Sequence, residues 1–328
     1  MTDEPLHPRD RFEAPGDEGP DRAFVEAWSR GRLHHAWLLC GPQGLGKAAF
    51  AHRAARRLLG ARAEPSRGPL GAAPDDPVSR LISARSHPDL LVIERLVEGG
   101  KSKKQIAVEQ VRALPEFFGM SPAQAPWRVA IIDAADDLNP NAANALLKVL
   151  EEPPQRGLLF LVSHAPGRLL PTIRSRCRRL VFSPWPATEL AQLVERRRGL
   201  PADEAARIAA MAGGSPGRAL QLSSGEALEL DRLAASLLGD DAAPPAERLA
   251  LADTFRRAEG PERFELLFDR LLAAVRDRAL AAGGVEGARW SALWSRLAEA
   301  PDRAAGLNLD RAEVFAAAVD EIARLRTA

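Results

Sequence analysis

A chain of 328 residues exceeds what one typical core holds, so two or three domains are expected. Lys plus Arg (45) nearly cancels Asp plus Glu (44), leaving a net charge of +1 that argues against a whole-chain polycation while leaving room for local basic patches. The two cysteines, Cys40 and Cys177, supply neither a secreted disulfide framework nor a four-ligand zinc site by themselves, and the lack of any apolar run of about 18 residues excludes a spanning helix.

The first stretch, "MTDEPLHPRDRFEAPGDEGP", is polar and lacks the apolar core of a signal peptide, so a cytoplasmic location is expected. Five short apolar runs then punctuate the first half: "HAWLLC" (35–40), "DLLVIE" (89–94), "VAIID" (129–133), "LLFLV" (158–162) and "RLVF" (179–182). Near-continuous apolar strands suit a parallel sheet covered on both faces. Helical patterns alternate with them, including "KAAFAHRAARRLLG" after the first run and "AVEQVRALPEFF" before the third. In "NPNAANALLKVLEEPP", Ala142, Ala145, Leu146, Val149 and Leu150 form one apolar stripe, Asn139 can cap, Pro140 fits the first helical position and Pro153–Pro154 stops the helix. The alternation predicts an α/β domain over 1–184.

"SPWPA" (183–187) looks like a linker. Three short helical patterns follow and predict a small helical lid domain over 185–225. From there the pattern stays helical, predicting an all-α domain over 226–328. In it, Trp290, Leu293, Trp294 and Leu297 share a face expected to be core, and Asp310 with Glu313 resembles a capping box.

The chemistry concentrates in "CGPQGLGKAAF" (40–50). Gly41, Gly44, Gly46 and Lys47 stand at the spacing of a phosphate-binding loop, between a predicted strand and a predicted helix, which is the context that confirms the motif. Glycines let backbone N–H groups approach phosphate, and the lysine offsets its charge. Hydrolysis further needs a hydroxyl and an acid for Mg²⁺ and a residue to activate water. Asp133 is placed to be the acid. Ala48 stands where the hydroxyl is needed, and Ala134 and Ala135 follow Asp133 where a glutamate is needed. The sequence therefore predicts poor hydrolysis, with at most weak ATP or ADP binding. Asp136 and Asp137 read as solvated or capping residues, His34, His35 and His87 as loop, packing or turn residues, and "RRRG" (196–199) as a solvated helix end. "TIRSRCRRL" (172–180) crowds arginine before a strand and could offer a guanidinium to phosphate.

Together, "RLHHAWLLCGPQGLGKAAFAHRAARRLL", "SHPDLLVI", "VRALPEFFGMSP", "WRVAIIDAADDLNPNAANALLKVLEEPP", "FLVSHAPGRLLPTIRSRCRRLVF" and "GGSPGRAL" resemble bacterial DNA polymerase III clamp-loader subunits of the AAA+ class, and the missing hydroxyl and glutamate favour the delta prime branch over the ATP-hydrolysing tau/gamma branch. The resemblance implies that Gly41 to Lys47 is the phosphate loop, Asp133 the second-strand acid, Ser163 the first sensor, and Arg176 an arginine finger reaching the ATP of an adjacent subunit. The usual second-sensor arginine falls on Gly217, with Arg218 one step on. The four-cysteine zinc module common in the family is replaced by a stretch without cysteine, so no zinc is expected. The resemblance also implies a five-membered ring with tau/gamma and delta subunits, acting on a sliding clamp and primed DNA, with this chain a non-hydrolysing stator and accessory polymerase subunit. An active ATPase of the same class, or a metabolic phosphotransferase, is the alternative.

Overall fold

The apolar runs become strands because they are short, rich in Leu, Ile and Val, and bounded by turn residues. The computed structural model describes residues 7–14, 18–98, 101–103, 105–153, 155–223, 226–239, 244–257 and 260–327. It divides into two compact units, Met1–Ala202 with Ala212–Gln221, and Asp203–Met211 with Leu222–Ala328.

In chain order, α1 (Gly19–Ser29), β1 (Ala36–Cys40), α2 (Lys47–Leu58), α3 (Pro77–Ser83) and β2 (Leu90–Glu94) come first. An antiparallel pair follows, β3 (Val97–Glu98) and β4 (Lys101–Ser102), then α4 (Val108–Val111), α5 (Ala113–Gly119), β5 (Arg128–Asp133), α6 (Pro140–Glu151), β6 (Gly157–Ser163), α7 (Pro171–Ser175) and β7 (Arg178–Val181). The remainder is helical: α8 (Ala187–Arg198), α9 (Ala202–Met211), α10 (Pro216–Leu222), α11 (Glu226–Leu238), α12 (Pro245–Thr254), α13 (Gly260–Ala282), α14 (Gly284–Ala298), α15 (Ala300–Gly306) and α16 (Arg311–Thr327).

The expected α/β architecture is present. Its sheet is parallel throughout, in the order β2-β5-β6-β1-β7. Both faces are covered, which is why the strands read as continuous apolar runs. Trp37, Leu39, Ile131 and Phe160 point to a core shared with α1 and α2. Their strand neighbours Leu38, Ala130, Ile132 and Leu161 point to the opposite core, with Ala142, Leu146 and Val149 of α6. Asn139 caps α6 as expected, its side-chain oxygen accepting from the Ala142 N–H at 2.8 Å.

Helix α1 fixes α2 from outside the sheet. Phe24 is fully buried and meets Trp37 and Phe50 edge-on at centroid distances of 5.1 and 5.7 Å. Beside it, the buried Arg53 guanidinium grips both oxygens of Asp21, one contact at 2.9 Å. Pairing of both Nη groups with the two carboxylate oxygens is what makes two buried charges tolerable.

The second unit has its own core, built by Leu237, Phe264, Phe268, Leu271, Trp290 and Phe315 among others. Asp310 accepts from the Ala312 N–H at 2.8 Å and so caps α16. One expectation fails: Trp290, Leu293 and Leu297 are buried, but Trp294 is 39% exposed. Positions 290, 293 and 297 already complete the i, i+3, i+7 seam, and 294 falls on its margin. Among the described residues no helix is long and apolar enough to cross a membrane.

Phe24→Ala is expected to cost about 3–5 kcal/mol, because the rings around it cannot collapse into the space. Urea unfolding of the first unit measures this, and a loss below about 1 kcal/mol would contradict the packing described.

Candidate functional site

Strand β1 ends at Cys40 and α2 begins at Lys47, so six residues must turn the chain sharply. They do so with φ of +144° at Gly41, +80° at Gly44 and +83° at Gly46, a region only glycine adopts without strain. The loop delivers the unpaired N–H groups of the α2 N-terminus to the carboxyl edge of the sheet. That is the geometry of an anion cradle.

Lys47 does not reach out of this cradle. Its side chain is 3% exposed, and its Nζ donates to the carbonyl oxygens of Gly41 and Pro42, each at 2.5 Å. Burial pulls its pKa down to about 8, against the opposing pull of Asp133 and Asp136. A second contact closes on the loop from α10. The Gly217 N–H donates to the Gly44 carbonyl at 2.9 Å, and a Cβ added to Gly44 would stand 2.1 Å from Ser215 Oγ. A Cβ on Gly217 would stand 2.9 Å from that same Gly44 carbonyl. The position where an arginine sensor was sought carries glycine because backbone rests on backbone there.

The acids sit at the same edge. Register pairs Asp133 with Glu94, and Ser163 with Cys40. Burial first and Glu94 second push Asp133 up to about 6, with Lys47 pulling the other way. Ala134 and Ala135 are buried, and Ala48 packs against the α2-side core. Both positions that would carry hydrolytic side chains are thus built into apolar surroundings, where an unpaired carboxylate would be costly.

Asp136 corrects the sequence reading, which took it for a solvated or capping residue. Its carboxylate accepts from Ser163 Oγ at 3.0 Å, from the His164 N–H at 2.6 Å and from the Ala165 N–H at 3.1 Å. It therefore holds the end of β6 and orients Ser163. Asp137 instead pairs with Arg95 at 3.3 Å.

Arg176 is not gathered into this cluster. It ends α7, partly exposed, where its guanidinium donates to the Thr172 carbonyl at 3.0 Å and pairs with Glu151 at 2.9 Å. Its neighbour Cys177 is a half-buried free thiol whose pKa burial drives to about 12, too high for reactivity. His34 and His35 stack at 4.4 Å, and His35 Nε2 lies 3.3 Å from the Leu150 carbonyl. His87 Nδ1 accepts from the Asp89 N–H at 3.1 Å, which sets the turn before β2.

A family model described as DNA polymerase III, delta subunit, matches residues 18–186. DNA polymerase III subunit delta' of Pseudomonas aeruginosa is 39% identical over 188 residues, 57% of this chain and 55% of that one. The delta' subunit of Escherichia coli is 28% identical over 253 residues, 77% and 73% of the two chains. The gamma/tau subunit of Mycobacterium tuberculosis is 32% identical over 209 residues, 62% of this chain and 35% of that one. The chain spans about half the length of the Pseudomonas relative it matches.

The raised Asp133 pKa has a consequence for stability. The folded chain holds this proton more tightly than the unfolded chain, so the stabilisation is complete below the ordinary value of 3.8 and is lost as pH rises through about 6. Asp133→Asn is expected to raise stability at pH 8 by about 2 kcal/mol and to flatten the profile between about pH 4 and 6. Thermal denaturation across pH checks both.

Proposed function

This chain belongs to the DNA polymerase III delta-subunit family, and on that premise we propose that it is a delta-prime-type stator of a clamp loader, which binds nucleotide weakly or not at all and exports one arginine to a neighbouring ATPase subunit. The observation that carries the proposal is Lys47 bonded to the Gly41 and Pro42 carbonyls, beside Ala48 and the buried Ala134. A bound triphosphate would have to draw that ammonium off two hydrogen bonds, and would find no hydroxyl at position 48 to share a magnesium ion with Asp133. The cradle fits a phosphate group in shape and fits catalysis poorly in chemistry. Gly44, Gly46 and Lys47 would hold the phosphates, and Ser163, oriented by Asp136, would stand beside them.

Arg176 is the group proposed to act across a subunit boundary. Its fork is exposed enough to exchange Glu151 for a phosphate, and a guanidinium suits the spread charge of phosphoryl transfer better than an ammonium. The proposed assembly contains tau/gamma and delta subunits and acts on a sliding clamp and primed DNA. The α/β domain, the lid over 185–225 and the helices from 226 on would serve as ring segment, lid and collar. The kinship to gamma/tau subunits at 32% identity supports a second reading, an ATPase active by itself.

Two measurements separate these readings. Arg176→Ala in the reconstituted complex is expected to lower the rate at the adjoining site by roughly 10³–10⁵, with less effect on the total because other sites remain. Arg176→Lys should not restore it, and an unchanged DNA-stimulated rate with Arg176→Ala would refute the exported arginine. The purified chain alone is expected to show no magnesium-dependent ATP turnover; measurable turnover would favour the second reading.

A further inference from the structure

The first unit contains a cavity of about 190 Å³ that the glycine loop does not use, lined by His7, Arg9, His52, Arg85, His87 and Glu94 and floored by the residues of β2. It is far larger than the roughly 10–15 Å³ that one water requires.

Its chemistry is one-sided. His52 and His87 are each 5% exposed, and among the described residues His52 Nδ1 and His87 Nε2 have no hydrogen-bond partner; the same holds for Arg9 Nε and Nη1. His87 Nδ1 accepts from the Asp89 N–H, so its Nε2 carries the proton and can only donate. His7 is fixed the same way, Nδ1 accepting from the Arg9 N–H at 3.3 Å. Among the described lining residues the carboxylate is Glu94, which is engaged by Arg85. Among the described residues, Arg9, Arg85 and Glu94 are the charged lining groups; Arg56 and Asp10 lie nearby, with Asp10 3.6 Å from Arg9 Nε. Burial and these positive neighbours hold His52 down to about 3. Against an apolar wall of Ile82, Leu90, Leu91 and Val92, the described polar lining is rich in donors and positive charge and poor in acceptors.

We propose that this cavity is a binding site for a small oxyanion of phosphate size, held by the imidazole N–H groups of His7 and His87, by His52 in its Nδ1–H tautomer and by the Arg9 guanidinium. The site is separate from the glycine loop, to which none of these four residues belongs. A small tetrahedral anion fits the volume.

The test uses the full chain at pH 7.5, titrated with sodium phosphate against sodium chloride at constant ionic strength. A saturable rise in Tm of about 2–4 °C is expected, together with selective shifts of the His52 and His87 ring resonances. His52→Leu should abolish the rise, and Lys47→Ala should keep it. The proposal is overturned if phosphate leaves Tm unchanged, or if Lys47→Ala loses the rise while His52→Leu retains it, since the anion would then sit in the glycine loop. Should His52→Leu fail to fold, the ring resonances of the unaltered chain decide. Absent shifts, or equal shifts at His34 and His35, overturn the site.

Discussion

A parallel sheet buried on both faces must send every strand's carboxyl end to the same edge. That constraint places Cys40, Glu94, Asp133 and Ser163 side by side, though they are scattered over more than a hundred residues of sequence. The glycine loop, the acids and the proposed sensor hydroxyl meet there because the strands have no other way to run. Ligand sites of open α/β sheets form at this edge for the same reason.

At that edge the structure closes on itself. The ammonium that would meet phosphate is satisfied by two carbonyls of its own loop, and α10 lays a backbone N–H on Gly44. A lysine buried this way costs desolvation, visible in its lowered pKa, and the two short hydrogen bonds offset that cost. Ala48 packs partly buried against one core, Ala135 is buried in the other, and Ala134 is buried, so small apolar side chains suit these positions. The loop keeps its shape because the glycines and the α2 N-terminus serve the fold whether or not they serve catalysis. In the proposed function the useful charge lies elsewhere, on the partly exposed Arg176, which is paired with Glu151.

Asp136 and the cavity histidines escape a sequence reading for one reason: their partners are remote in the chain. Asp136 and Ser163 are 27 residues apart and meet only because β5 and β6 are neighbours. Nothing in the local pattern "DAADD" distinguishes an aspartate that anchors the next strand from one that faces solvent. His7, His52 and His87 come from a turn, a helix and a loop, with no common period to announce the cavity they line. Trp294 was misplaced for a different reason, since a four-residue offset from Trp290 satisfies helical periodicity on either margin of a buried seam.

What the sequence settled by itself was local. Apolar runs of strand length, glycines at loop spacing, the Asn139 cap and the proline at position 140 each act through residues a few positions apart, so their physics is complete within the motif. The missing hydroxyl at position 48 was legible for the same reason. Tertiary structure alone decided where Lys47 points, why position 217 is glycine, what Asp136 holds and which donors share a cavity. Each depends on packing between segments distant in the chain, and burial, charge and hydrogen-bond partners acquire values only once those segments meet.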